Sequence, residues 1–342
     1  MRALDFSTLV ASLALAVTVS ACGDDASGGA GGGGAAQGGS GSGAASSGGA
    51  GGGQASGGAP SDGGAADGGA GGGMTVTTDF IAGGDRPVSV KVPTGYDPAV
   101  PAPLVILLHG YSATGALQNA YFGMESVADE KGIVFAYPDG TIDPQTNHFW
   151  NATDACCDLY GSGVDDVGYL TGLLDEIEAT VNIDPKRVYF VGHSNGGFMS
   201  YRMACELSDR IAAIASLAGA TFADDADCGA TNPVSVLQIH GTADATILYA
   251  GGGIVGNMYP GAETSVATWA ARSNCGPLTP TNEMLDIDSV LVGNETTVLA
   301  HTGCQGSQAY ELWRIEGGAH VPSLAAGFSD KVLDFLLAHP KP

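Results

Sequence analysis

Val188-Tyr189-Phe190-Val191-Gly192-His193-Ser194-Asn195-Gly196-Gly197-Phe198 is the stretch that decides the fold. Its first four residues are apolar and suit a strand buried on both faces. A helical stretch, Phe198 to Leu207, follows. Gly192 and Gly196 stand two residues either side of Ser194, because a serine in so tight a strand-to-helix turn is strained. Bulky side chains at 192 and 196 would clash with adjacent strands and helix. The turn is expected to lift the Ser194 hydroxyl above a sheet edge, with the Asn195 N–H aimed where negative charge would develop. A bare Gly-x-Ser-x-Gly match is weak in a glycine-rich chain; the flanking strand and helix make it specific.

Outward from this turn, apolar runs alternate with helical stretches. Pro103 to His109 contains Leu-Val-Ile-Leu-Leu, and Ile133 to Tyr137 ends at Pro138-Asp139-Gly140. Ile211 to Leu217, Val234 to Ile239 and Tyr310 to Ile315 repeat the pattern, with helices expected near 168–181 and over Ser329 to Leu337. Buried strands separated by helices predict a mostly parallel twisted sheet with helices on both faces. Val88 to Val92 alternates and reads as an antiparallel edge strand. No internal repeat is visible.

Three more segments carry chemistry that complements Ser194. Leu107-Leu108-His109-Gly110-Tyr111 ends a strand and turns at glycine, so the Tyr111 amide is the candidate second donor to an oxyanion, beside that of Asn195. Val234 to Ile239 runs into His240-Gly241-Thr242-Ala243-Asp244, which puts Asp244 at the carboxyl end of the sheet, where such folds gather catalytic groups. Asp286 and Asp288 are set aside, lying in an irregular stretch with no strand leading in. Of seven histidines, His109, His193 and His240 sit inside these motifs, His148 precedes the serine, and His339 lies beyond the last helix. His301 adjoins a half-cystine region. His320, after Gly317-Gly318-Ala319, is the expected base. The order Ser, Asp, His matches that of α/β-hydrolases. Trp150 is a candidate lining of a substrate cleft. Val164-Asp165-Asp166-Val167-Gly168 reads as a helix cap rather than a metal site.

The remainder sets the chain's surroundings. Arg2 followed by the apolar run Phe6 to Val19 reads as an export signal too short to span a membrane. It ends in Val19-Ser20-Ala21-Cys22, a lipobox-like tetrapeptide that makes Cys22 the expected lipidation site, with a membrane anchor as its consequence. Residues 23–73 are about half glycine and are expected to remain a disordered tether, about 40 Å end to end. Residues 74–342 suffice for one catalytic domain. A net charge of −24, from 12 basic and 36 acidic residues, argues against nucleic acid or anionic lipid as partner. Beyond Cys22 six cysteines remain, Cys156, Cys157, Cys205, Cys228, Cys275 and Cys304. Their even number in an exported chain predicts disulfides, with the pairing open among 15 arrangements. None has metal-site spacing, so no metal and no cofactor is expected. Asn151-Ala152-Thr153 and Asn294-Glu295-Thr296 fit a glycosylation pattern that the lipobox discounts.

Leu108-His109-Gly110, Ala155-Cys156-Cys157-Asp158, Val164 to Gly168, Gly192 to Gly197, His240 to Asp244, Tyr249 to Gly252 and Gly317 to His320 occur in that order. The chain thereby resembles the esterase/polyhydroxybutyrate depolymerase family, with its feruloyl and acetylxylan esterases, over residues 76–340. The resemblance implies an α/β-hydrolase fold and a Ser194, Asp244, His320 triad. It further implies that Cys156 and Cys157 each pair with one of Cys205 and Cys228, and Cys275 with Cys304. The family's Gly-Gly-x-His-x-Trp-Pro-Gly is here Gly317-Gly318-Ala319-His320-Val321-Pro322-Ser323, without the tryptophan. The expected function is an exported, monomeric serine esterase acting on a polymeric ester through an acyl-serine. A serine peptidase and a non-catalytic surface binder are the alternatives. The first would be favoured by a propeller or long cap domain and the second by loss of a triad member.

Overall fold

The computed structural model describes residues 77–342. The expected signal at 1–22, Cys22 and the tether at 23–73 lie outside the described residues.

An eight-stranded sheet organises the chain. Its strands are β1 (Ala102–Leu108), β2 (Val134–Ala136), β3 (Ile183–His193), β4 (Ala213–Leu217), β5 (Ser235–Gly241), β6 (Leu278–Leu285), β7 (Thr296–His301) and β8 (Tyr310–Ile315). The spatial order is β6-β7-β8-β5-β4-β3-β1-β2. The strands from β2 across to β8 run parallel, and β7 is antiparallel to both of its neighbours. The helices are α1 (Gly115–Phe122), α2 (Met124–Glu130), α3 (Asp166–Thr180), α4 (Asn195–Glu206), α5 (Ala262–Ala271) and α6 (Phe328–Ala338).

The apolar runs are continuous because both faces of the sheet are covered. All seven residues of β1 are buried. Leu104, Ile106 and Leu108 share a core with Leu170, Leu173 and Ile177 of α3 and Trp269 of α5. Val105 and Leu107 join Met124 of α2 and Phe328, Val332 and Leu333 of α6 on the other face. The α/β-hydrolase architecture expected from the sequence is therefore present. Among the described residues no helix is long and apolar enough to cross a membrane.

Several local expectations need correction. Val88–Val90 pairs antiparallel with Phe80–Ala82 in a separate two-stranded ribbon, and meets the large sheet through one bridge, Lys91 to Phe135. Asp286 follows a strand after all, because β6 leads into it; β6 is exposed over most of its length and so has no apolar pattern to read. The disulfides are Cys205–Cys228, Cys275–Cys304 and Cys156–Cys157. Cys156 and Cys157 thus do not pair with Cys205 and Cys228. The last turn of α4 brings Cys205 within 4.9 Å, Cα to Cα, of Cys228, a span that a disulfide bridges without backbone movement. The cap at 165–166 behaves as read: the Asp165 carboxylate accepts the Gly168 N–H at 2.7 Å. Asp166 is buried and ion-paired with Arg86 at 2.7 Å, and the Arg86 guanidinium lies 3.6 Å from the centre of the Tyr169 ring.

Candidate active site

Ser194 caps α4 at the end of β3 with φ 54° and ψ −118°. For a residue with a Cβ this is a costly backbone state, of the kind held only where surroundings enforce it. The enforcement is visible at the two flanking glycines. A Cβ on Gly192 would fall 2.1 Å from the Gly196 carbonyl oxygen, and one on Gly196 would fall 2.2 Å from that of Leu108. The turn therefore packs backbone against backbone, as the motif requires.

Three loops from the carboxyl ends of β3, β5 and β8 meet at the serine. His320 Nε2 lies 2.9 Å from Ser194 Oγ, and His320 Nδ1 lies 2.7 Å from Asp244 Oδ2. Because Asp244 is acceptor-only when ionised, the hydrogen bond places the ring proton on Nδ1 and leaves Nε2 free to accept from the hydroxyl. All three side chains are buried. Burial alone would raise the Asp244 pKa; hydrogen bonds from His240 and His320 outweigh it and hold the carboxyl well below the usual range. Its Oδ1 also accepts the amides of Thr246 at 2.8 Å and Ile247 at 2.9 Å. Acid and base loops are locked together where the Ala243 N–H donates to the Gly318 carbonyl at 3.0 Å.

The expected oxyanion segment lies alongside. A Cβ on Gly110 would be 3.5 Å from Ser194 Cβ. The Gly110 N–H donates to Gln118 Oε1 at 3.3 Å, and the Ser112 N–H to the His148 carbonyl at 2.9 Å. Between them, the Tyr111 N–H has no protein acceptor among the described residues, nor has the Asn195 N–H at the start of α4. The Tyr111 side chain points elsewhere, its hydroxyl hydrogen-bonded to Asp143, and burial followed by that carboxylate pushes the phenol pKa up.

Other predicted residues have structural places. Trp150 is fully buried, so it does not line an open cleft; its backbone N–H and carbonyl are held by the Asn195 amide at 2.7 and 2.9 Å. That correction has a simple cause: the local sequence carries no signal of depth. His301 ends the antiparallel β7 and bonds the Gly276 carbonyl at 2.7 Å, at the opposite end of the sheet from Ser194. His109, Asp139 and His148 come together, but His109 already donates from Nδ1 to the Gly110 carbonyl and accepts the Gly140 N–H at Nε2, both at 2.8 Å. The cluster is a brace for the Tyr111 loop. Burial lowers the His109 pKa to about 4. His193 donates from Nε2 to the His320 carbonyl at 2.9 Å, and burial lowers its pKa to about 3.

Sequence reading missed two supports. Asp288 is buried and accepts the Ser323 N–H at 3.1 Å, stapling the loop that carries His320. Tyr121 adds a hydrogen bond to the Pro322 carbonyl at 2.7 Å. No local signal marks either, since their partners are 35 and 201 residues away. A surface cavity of about 570 Å³, lined by Lys91, Glu125 and Phe135 among others, does not include the serine.

Comparison with known proteins gives esterases as relatives. Feruloyl esterase B of Piromyces equi is 29% identical over 243 residues, covering 69% of this chain and 42% of that protein. Feruloyl esterase D of Neurospora crassa is 26% identical over 262 residues, covering 73% of this chain and 79% of that protein. This chain thus spans less than half the length of the Piromyces protein. Among solved structures, an acetyl xylan esterase from Aspergillus awamori superposes with a TM-score of 0.54 at 14% identity, covering 76% of this chain and 98% of its own, a likeness of fold. Residues 81–270, more than half of the chain, match the Esterase family model, and the chain belongs to that family.

Proposed function

We propose that this protein is an exported serine esterase that hydrolyses carboxylic esters through an acyl-Ser194 intermediate. The observation that carries the reading is the hydrogen-bonded series from Ser194 through His320 to Asp244. In this scheme His320 Nε2 takes the Ser194 proton as Oγ attacks the ester carbonyl carbon. The oxyanion is met by the Tyr111 and Asn195 amides. The same imidazolium then protonates the leaving alcohol, and a water repeats the sequence to release the acid. Asp244 holds the tautomer and stays ionised.

The polymer classes expected are acylated plant polysaccharide and polyesters of the hydroxybutyrate type. The names of the feruloyl esterase relatives support the first. Apolar side chains exposed beside the site, Leu248 next to Ile247 and Val321 next to His320, suit an aromatic or aliphatic acyl group. Export, with lipid on Cys22 and a tether over 23–73, is part of the proposal; the disulfides support an oxidising compartment.

A fluorophosphonate probe tests the mechanism. Labelling of wild type and none of Ser194→Ala is expected; folded wild type that takes no label would favour a binding protein. A panel of methyl ferulate, acetylated xylan, p-nitrophenyl esters and amorphous polyhydroxybutyrate tests the substrate class. Turnover of peptides in place of every ester would overturn it.

A further inference from the structure

Asp244 Oδ2 faces a second histidine. His240 Nε2 stands 3.4 Å from it and 2.8 Å from the Ile247 carbonyl oxygen. The ring is fully buried at the end of β5, one residue before the turn that carries the acid.

The neighbours of His240 fix where its proton sits. Gln238 Nε2 donates to the Gly219 carbonyl at 2.8 Å, and a carbonyl can only accept, so the amide orientation is set. Gln238 Oε1 in turn accepts from the Tyr201 hydroxyl at 2.9 Å. The remaining N–H of Gln238 points at His240 Nδ1, 3.0 Å away. Nδ1 must therefore be the acceptor and Nε2 the donor. From there the N–H is donated to the Ile247 carbonyl, and the same ring nitrogen stands 3.4 Å from the acid. Since Ile247 N–H also donates to Asp244 Oδ1, His240 closes the turn around the carboxylate from its other side.

Resting on the reading of Ser194, Asp244 and His320 given above, we infer that His240 is a positioning residue. Its Nε2–H orients the Asp244 carboxylate and shares the charge of the oxygen that holds His320. The groups facing this pair are few: the His320 ring, the Thr246 and Ile247 amides, Tyr249 with its ring centre 5.8 Å from that of His240, and Tyr259. Glu263 and Arg314 lie beyond Tyr249. His193 lies against the His320 ring, 5.1 Å between ring centres. Among these, His320 hydrogen-bonds Asp244 Oδ2, and His240 Nε2 is the other side-chain nitrogen beside that oxygen, at 3.4 Å, in the described residues.

The direction of the effect follows. Removing the His240 donor concentrates negative charge on the oxygen facing His320 and favours the imidazolium. His240→Phe is expected to lower kcat by about 10- to 100-fold with KM within about twofold, as for loss of a group supporting a catalytic side chain. The acidic limb of kcat/KM should move to higher pH. His240→Gln, which restores an N–H near the Nε2 position, should recover most of the turnover and return the limb. A fall in kcat with an unmoved limb and no recovery by Gln would mean His240 is only packing, and would overturn the inference. A measurement independent of turnover covers a His240→Phe that fails to fold, or a wild type inactive on every ester. In 15N-histidine-labelled wild type near pH 8, His240 should show a protonated Nε2 and an unprotonated, hydrogen-bonded Nδ1. A proton on Nδ1 would refute it. Wild type that takes no fluorophosphonate label while showing the expected tautomer would sink the esterase reading alone.

Discussion

Ser194 holds its hydroxyl in place at a cost in backbone energy. At φ 54° and ψ −118° a side chain costs on the order of 1–3 kcal/mol, whereas glycine adopts such angles freely. Ser194→Gly is therefore expected to abolish turnover yet raise unfolding free energy by about 1 kcal/mol, after the larger entropy of the unfolded glycine chain is counted. Urea denaturation of the two proteins checks it, and a less stable glycine variant would show that the turn is relaxed. Turnover should fall by about 10⁴- to 10⁶-fold in Ser194→Ala and His320→Ala, and by a smaller factor in Asp244→Asn. If His301→Ala impaired steady-state hydrolysis while His320→Ala did not, the assignment of the base would be wrong. The meeting of Ser194, Asp244 and His320 was legible because each sits within a few residues of a glycine-marked turn at a strand end. Trp150 had no such context, and its depth in the core came from residues far along the chain.

Elements were legible in proportion to their burial. Strands β1, β3, β4, β5 and β8 announce themselves as apolar runs because helices cover both faces of the sheet. β6 and β7 were missed, one being largely exposed and the other only partly buried. They nonetheless serve the site, since the β6–β7 connection supplies Asp288 to the loop of His320. The contact between α4 and β1 leaves no room for a side chain. Gly196→Ala, whose Cβ would sit 2.2 Å from the Leu108 oxygen, should destabilise by about 2–3 kcal/mol or prevent folding, as overpacking against backbone does. Soluble yield and melting temperature report on it. Loss of the Cys205–Cys228 bridge, which spans 23 residues, should cost about 3 kcal/mol in Cys205→Ala/Cys228→Ala, read as a lower urea midpoint. No change on reduction of the wild type would argue that the bridge contributes little.

The whole molecule answers to pH through buried imidazoles. His109 and His193 titrate in the fold at about 4 and about 3, against 6.5 when exposed. The unfolded chain takes these protons first. Stability is therefore complete above pH 6.5 and declines as pH falls toward 4, at about 1.4 kcal/mol per unit for each group. Asp244 adds a loss in the same direction below the ordinary carboxylate pKa of 3.8. Denaturant titrations at pH 7.5, 6 and 5 should show the decline. A stability independent of pH across that range would mean that neither ring has its pKa lowered in the fold.

By itself the sequence determined the alternation of strand and helix, the strained serine turn, and which aspartate and histidine come to lie against the serine. These are local properties, written in apolar period and in glycines that only close backbone contact requires. Tertiary structure alone decided which cysteines meet, how deeply Trp150 lies, that His240 sits beside Asp244, and that Asp288 and Tyr121 hold the loop of His320. Each of those depends on distances between segments brought together by packing, and no pattern along the chain encodes them.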